Sequence, residues 1–325
     1  MGLTMAEGRD LDVEAILAGV DEQLPEDHRA GLVALVGRPN TGKSTLLNHL
    51  VGEKVAIVTE VPGTTRNAIR GVLTRDDAQV VFLDTPGLAK PRTLLGERLN
   101  ALVRETWEGV DLICLLVDVA DGVGPGDRFL AGELAQVGTP IVAVANKVDR
   151  VRPKERMLPQ LERLAGLLGE GRSFAEVVPI SAATGDNVDR LVEVLIEQLP
   201  VAPRLLPPDA VTDQPERQLA AEILREKLIA QVEDEPPHSI AVTVESIDED
   251  DERDDLLRVD AVIHVERDSQ KPIVIGRDGA QLKAAATAAR RELEVLLGAK
   301  VFLSTHVRVA KEWQRDTKQL GRLGY

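Results

Sequence analysis

The residues best suited to chemistry stand between 37 and 45. Gly37 and Gly42-Lys43-Ser44 give the spacing G-x-x-x-x-G-K-S/T. Glycines at those positions let the main chain turn successive N–H groups toward an anion. Lys43 supplies a point charge for terminal phosphates, and the Ser44 hydroxyl can ligate Mg²⁺. The flanks supply the positioning elements. Residues 32–36 form a short apolar run, read as a buried parallel strand, and a helical pattern begins at Thr45. The start of that helix adds partial positive charge. Gly37, Arg38, Pro39, Asn40, Thr41, Gly42, Lys43, Ser44 and Thr45 are therefore the expected phosphate contacts.

Three further runs end in polar motifs. Residues 80–83 lead into Asp84-Thr85-Pro86-Gly87-Leu88. Asp84 can hold Mg²⁺ through water, and the Gly87 N–H can meet a γ-phosphate, so that phosphate loss releases the loop. Residues 141–145 lead into Asn146-Lys147-Val148-Asp149. A carboxylate at Asp149 accepts from both N1–H and the 2-amino group of guanine. Adenine lacks the amine and presents an acceptor at N1, which leaves the carboxylate unmatched. Asn146 can bond base and phosphate loop, while the Lys147 stem covers the ring face. Residues 177–180 lead into Ser181-Ala182-Ala183, whose N–H groups can meet the guanine carbonyl. Between the first helix and a strand near Asn67 lies the polar loop 61–66. There Thr65 is the expected third Mg²⁺ ligand beside Ser44 and Asp84, with Thr64 in a supporting contact.

Another apolar run spans 112–117, and helical patterns fall near 97–107, 126–137, 154–169 and 187–198. Continuous apolar strands alternating with helices predict a mostly parallel α/β sheet covered on both faces. Ligands of such sheets bind beyond the strand carboxyl ends, where every motif above falls. The 325 residues are 43% hydrophobic and 29% charged, which suits a globular chain of two domains. Aromatic residues are only 2%, so a base-stacking platform is not expected. The net charge of −15 argues against nucleic-acid binding by the whole surface. The lone Cys114 permits no intrachain disulfide or Cys-based zinc site, as in a reducing cytosol. No run reaches membrane-span length, and the acidic N-terminus is unlike a signal peptide.

Four prolines between 200 and 208 predict an extended, semi-rigid connector. The expected organisation is an acidic extension (1–29), a nucleotide domain (30–199), a linker (200–213) and a second domain (214–325). The second domain reads helix (216–232), strand (240–247), acidic tract (248–255), strand (257–265), two helices around Gly276-Arg277-Asp278-Gly279, strand (300–309) and a terminal helix (313–320). Residues 209–266 hold 5 Lys and Arg against 18 Asp and Glu, a net of −13. Residues 267–325 hold 12 against 6, a net of +6. A basic half around a glycine pair is what an RNA face on an acidic protein requires.

The five nucleotide motifs resemble those of the translation-factor class of GTPases. The element order and the glycine pair resemble a type II KH domain, an α+β unit that clamps a single-stranded backbone. Ile275, Gly276, Arg277, Asp278, Gly279 and Lys283 are then the expected RNA contacts. Together they resemble the Era family of ribosome-assembly GTPases, on Gly37-Arg38-Pro39-Asn40, the 84–88 and 145–149 motifs, Val274-Ile275-Gly276 and Leu323-Gly324-Tyr325. The resemblance implies a P-loop NTPase domain followed by a type II KH domain, and slow hydrolysis of GTP to GDP and phosphate. It implies binding near the 3′ end of small-subunit ribosomal RNA in support of small-subunit maturation. It also implies a monomer of the cytoplasm with peripheral association at the inner membrane. Leu88 stands where Ras-like enzymes carry a water-orienting glutamine. Several relatives with an aliphatic residue there and an asparagine like Asn40 use K⁺ at the phosphates in place of an arginine finger, which the resemblance extends to Asn40. Lys43, Asn40, Thr65 and Gly87 form the expected catalytic set. Gly63 and the first 30 residues depart from the family pattern. The alternative is a constitutive RNA-binding module with a non-switching G domain.

Overall fold

The computed structural model describes residues 24–59, 69–86, 88, 93–212, 214–231, 239–250, 252–323 and 325. The expectations for Thr64, Thr65, Gly87, the rest of the 61–66 loop and residues 1–23 lie outside the described residues.

The apolar runs become β1 (Arg29–Gly37), β3 (Ala78–Asp84), β4 (Leu112–Asp118), β5 (Ile141–Asn146) and β6 (Glu176–Pro179), with β2 (Ile69–Thr74) at one edge. The sheet order is β2-β3-β1-β4-β5-β6. Only β2 runs antiparallel to its neighbour. Successive β1 side chains serve opposite faces. Val33 and Leu35 meet Leu46 and Leu47 of α1 (Lys43–Val51) and Leu191 and Leu195 of α5 (Val188–Gln198). Ala34 and Val36 meet the other layer: Val103 and Trp107 of α2 (Leu94–Glu108), Leu130 and Leu134 of α3 (Pro125–Leu134) and Leu164 of α4 (Met157–Ala165). Burial on both faces is why these strands lack polar alternation.

The second unit contains α6 (Glu216–Gln231), β7 (Ala241–Asp250), β8 (Arg253–Val265), α7 (Gln270–Ile275), α8 (Ala280–Leu297), β9 (Lys300–Val309) and α9 (Thr317–Arg322). Its sheet runs β7-β8-β9, antiparallel then parallel. Leu219, Ile223 and Leu224 of α6 and Ala285, Ala289 and Leu293 of α8 cover one face, over Val259, Ala261, Ile263 and Val301.

Three expectations change. The acidic tract is no break between strands. Asp248, Glu249 and Asp250 continue β7 opposite Arg258, Leu257 and Arg253. Nearby cations offset the carboxylates, with Arg258 on Asp250 and Lys300 on Asp255. The proline segment does not stand off as a spacer. Ala202 N–H donates to the His28 carbonyl, and Val72 N–H donates to that of Val211. The buried Gln79 side chain accepts from Leu205 N–H at 2.7 Å and Leu206 N–H at 2.9 Å, and donates to the Leu206 carbonyl. Lastly, the helices expected at 154–169 and 313–320 are segmented. Each begins with a single 3₁₀ turn, Lys154–Arg156 and Trp313–Arg315. Asp316 then leaves helical geometry and caps α9, accepting from the N–H groups of Lys318 and Gln319.

Candidate functional site

The motifs at the ends of β1, β3, β5 and β6 are joined by direct hydrogen bonds. The loop after β1 turns sharply at Gly42, where φ is +97° and an added Cβ would lie 2.3 Å from Asn146 Nδ2. That clash, with the backbone conformation, explains the glycine. Gly37 is constrained by the protein around it, since a Cβ there would meet the Leu116 carbonyl oxygen and the Thr41 hydroxyl, each at 2.6 Å. Asn40 also has positive φ, and its carbonyl accepts from Lys147 Nζ at 2.6 Å. Thr41 is buried and donates its hydroxyl to the Arg38 carbonyl. Pro39 and Thr45 are half-buried on the same segment.

Lys43 is buried, and its ammonium donates to the carbonyls of Gly37 at 3.0 Å and Arg38 at 3.1 Å. Burial lowers its pKa, against the opposing pull of Asp84. Asp84 shows the converse: burial raises its pKa, while Lys43 and the Ser44 hydroxyl pull it down. Ser44 Oγ donates to Asp84 Oδ2 at 2.6 Å, which brings two of the three expected metal ligands together. Asp84 Oδ1 is buried with no hydrogen-bond partner among the described residues. Buried acceptors are normally satisfied, so an unmatched carboxylate oxygen at this rim fits a hydrated cation. Thr85 and Pro86 are buried behind it, and the Thr85 hydroxyl donates to the Leu35 carbonyl. Leu88 is buried in the apolar layer with Leu83 and Val36.

Asn146 is the knot between motifs. Its Nδ2 donates to the Thr41 carbonyl at 2.8 Å, and its Oδ1 accepts from Ala182 N–H at 2.9 Å and Lys147 N–H at 2.8 Å. These bonds narrow one expectation. Ala182 N–H serves Asn146 and Ser181 N–H serves the Asp186 carbonyl, so Ala183 is the remaining candidate of that loop to face a base. Asp149 sits in a 3₁₀ turn after Lys147, and its Oδ1 is buried without a partner among the described residues. That fits a ligand edge carrying donors, as guanine does. Lys147 also pairs with Asp118 at 2.6 Å. Asp118 was missed in the sequence, although it ends the β4 run as Asp84 ends β3.

The second candidate site is of another kind. Ile275 closes α7, and Gly276 follows with φ +76° and ψ 172°. A Cβ there would lie 2.8 Å from Gln281 Cβ. Asp278 and Gly279 both have positive φ. The side chains of Arg277 and Asp278 are 97% and 94% exposed, and Lys283 is exposed on the first turn of α8. Of the other basic residues, Arg290, Lys300 and Arg308 are engaged by Glu294, Asp255 and Glu245. Among the described residues there is no cluster of three His, Cys, Asp or Glu side chains placed to hold a metal ion, and no helix long and apolar enough to cross a membrane.

The sequence matches the family described as 50S ribosome-binding GTPase over residues 32–147 and the KH domain family over 235–314. It is 51% identical over 302 residues to GTPase Era of Mycobacterium tuberculosis, covering 92% of this chain and 99% of that protein. It is similar to a crystal structure of Era in complex with MgGDPNP and nucleotides 1506–1542 of 16S ribosomal RNA. That match has a TM-score of 0.88 and 38% identity, over 92% of this chain and 99% of the other. A point variant of Aquifex aeolicus Era bound to GDP and AlF4⁻ matches with a TM-score of 0.87 and 38% identity, over 91% and 99% of the two chains.

Proposed function

The chain belongs to the Era family of GTPases, and from that membership we propose that its nucleotide rim governs how its KH domain holds small-subunit ribosomal RNA near the 3′ end, in support of small-subunit maturation. Asp149, Asn146, Lys147 and Ala183 would select guanine. Lys43 would take the terminal phosphates, and Ser44, Asp84 and Thr65 would hold Mg²⁺. The metal would supply charge neutralisation at the phosphates. Ile275, Gly276, Arg277, Asp278, Gly279 and Lys283 would clamp the RNA backbone. The solved relative with MgGDPNP and a 16S segment supports both halves of this reading.

The observation that carries the switch is an ion-pair cluster between the two units. Lys54, just beyond α1, pairs with Glu226 of α6 at 2.8 Å and Glu292 of α8 at 2.7 Å. Lys227 joins the same two carboxylates. α8 begins immediately after Gly279, so one helix bears the glycine loop at its start and the nucleotide domain's lysine farther along. A second contact lies on α2, which follows the Asp84 motif. Leu95 packs with Trp313 and Leu320, and Arg98 donates to the Tyr325 main-chain oxygen at 3.1 Å.

Turnover would be slow, with no polar side chain at Leu88 to orient water and, by resemblance to relatives that pair such a residue with a loop asparagine, K⁺ assisting at Asn40. Unchanged turnover on exchange of K⁺ for Na⁺, with Asn40→Ala also silent, would remove that element. The expected monomer, and a cytoplasmic location with peripheral attachment to the inner membrane, belong to the same reading. The test is crosslinking to total cellular RNA with a non-hydrolysable GTP analogue bound. The expected result is a peak at the 3′ end of small-subunit ribosomal RNA; reads spread over messenger RNA would contradict the assignment.

A further inference from the structure

The side chain of Arg38, second residue of the phosphate loop, leads away from the rim to the first turn of α3. Its Nε donates to Asp127 Oδ1 at 2.8 Å. Asp127 is completely buried, while Arg38 is 31% exposed. The other carboxylate oxygen, Oδ2, accepts from Gly124 N–H at 2.8 Å and so caps the helix. Both oxygens are thus committed, one to α3 itself and one to the loop. A buried carboxylate is tolerated only when paired, so Arg38 cannot swing away without stranding it.

The surroundings are cut to admit this arginine. A Cβ at Gly126 would lie 2.6 Å from Arg38 Cδ and 3.2 Å from Cγ, and one at Gly124 would lie 3.8 Å from a guanidinium nitrogen. Gly124-Pro125-Gly126-Asp127 therefore forms a receptor for the Arg38 stem and head. On its other side Arg38 presents the carbonyl that accepts from Lys43 Nζ and from the Thr41 hydroxyl. The same residue is pinned from below by α3 and seats the phosphate lysine from above.

We propose that Asp127 is a positioning residue for the phosphate-binding loop, acting through the Arg38 side chain. It touches no ligand. It holds residue 38, and with it the carbonyl and N–H vectors of the loop, in the shape that receives phosphates. The proposal rests on the reading of residues 37–45 as the nucleotide loop.

The test is binding of fluorescent GDP and a non-hydrolysable GTP analogue to the full chain, with steady-state turnover and thermal unfolding measured in parallel. Asp127→Asn should weaken both nucleotides about tenfold, raise KM similarly and leave kcat within about threefold, since uniform binding is lost. Arg38→Met combined with Asp127→Asn should cost less than the sum of the single changes. Gly126→Ala tests positioning from the receptor side. A methyl there would meet Arg38 Cδ at 2.6 Å, so a purely structural role predicts a lower Tm with unchanged nucleotide affinity. The proposal predicts weaker nucleotide binding as well, because the methyl displaces Arg38 from Asp127. Nucleotide affinity unchanged in both Asp127→Asn and Gly126→Ala, with the parent chain binding normally, would overturn the proposal alone. A parent chain that binds neither nucleotide would overturn the reading on which it rests.

Discussion

At the nucleotide rim the key polar side chains are buried and tied to neighbouring loops, with one oxygen each of Asp84 and Asp149 left open; at the 276–279 loop the charged groups stand in solvent. Lys43, Asp84 and Asn146 have left water and are fixed by carbonyls, a hydroxyl and N–H groups of neighbouring loops. Arg277 and Asp278 are almost fully exposed, and what is fixed there is the main chain, through left-handed residues. One site has met its desolvation cost in folding and can discriminate between closely similar bases. The other offers backbone shape and charge, which suits a polymer held by its phosphates. The contrast predicts that the rim is sensitive to exchange of single atoms and the loop to backbone angles.

Asp149→Asn should produce the largest effect. Replacing one carboxylate oxygen with an amide nitrogen turns an acceptor toward the guanine donors into a donor. Guanine-nucleotide affinity should fall by roughly a hundredfold or more, about 3 kcal/mol. Nucleotides of a base with a carbonyl in place of the 2-amino group should gain. Titration with both nucleotide types checks this; equal loss for both would show that the fold, not the base edge, had been disturbed. Gly276→Ala comes next. The angles at Gly276 are nearly exclusive to glycine, and the methyl would press on Gln281, so strain of about 1–3 kcal/mol should appear as weaker RNA binding. Nucleotide affinity should be unchanged, as RNA gel-shift and nucleotide titration of one sample would show. Gly279→Asn should do far less. Its φ is also positive, but nothing lies within 4 Å of an added Cβ and asparagine tolerates the left-handed region. RNA affinity within about threefold of the parent is expected.

The smallest effect concerns pH. Burial raises the Glu292 pKa, but hydrogen bonds from Lys227 and Lys54 outweigh it and hold the carboxyl below its ordinary value. A depressed carboxyl contributes fully above the unfolded-state value and loses that contribution as pH falls through the folded one. The tie between Lys54 and α8 should therefore hold at neutral pH and loosen only below the ordinary glutamate range. Thermal unfolding of the parent and Glu292→Gln should converge as pH falls there.

Much of this was legible in the residues. Strands β1, β4 and β5 read plainly because burial on both faces makes them continuously apolar, and the ends of β1 and β5 carried motifs, while Asp118 at the end of β4 did not stand out. The second unit was legible in element order, since helix, two strands, two helices about the glycine pair and a final strand follow one another in the chain. The ties between parts were not. Lys54 sits in an ordinary polar turn, and Glu226 and Glu292 look like solvated helix charges until α6 and α8 are packed against it. Gln79 interrupts no pattern, so its hold on the proline segment was invisible. Asp127 reads as a routine helix-capping acid, and its second bond, to Arg38, crosses 89 positions. Contacts made by single side chains across long separations leave no periodic trace.

The central claim, that nucleotide state governs RNA binding, is tested most directly by measuring affinity for a small-subunit 3′-end RNA with GDP and with a non-hydrolysable GTP analogue, at one salt concentration. The account predicts at least a fivefold difference, a reciprocal change in nucleotide affinity when RNA is present, and a diminished difference in Lys54→Met, about 1 kcal/mol of coupling being the minimum for such a switch. Equal RNA affinity in the two states would contradict it and leave a constitutive RNA binder with a G domain attached.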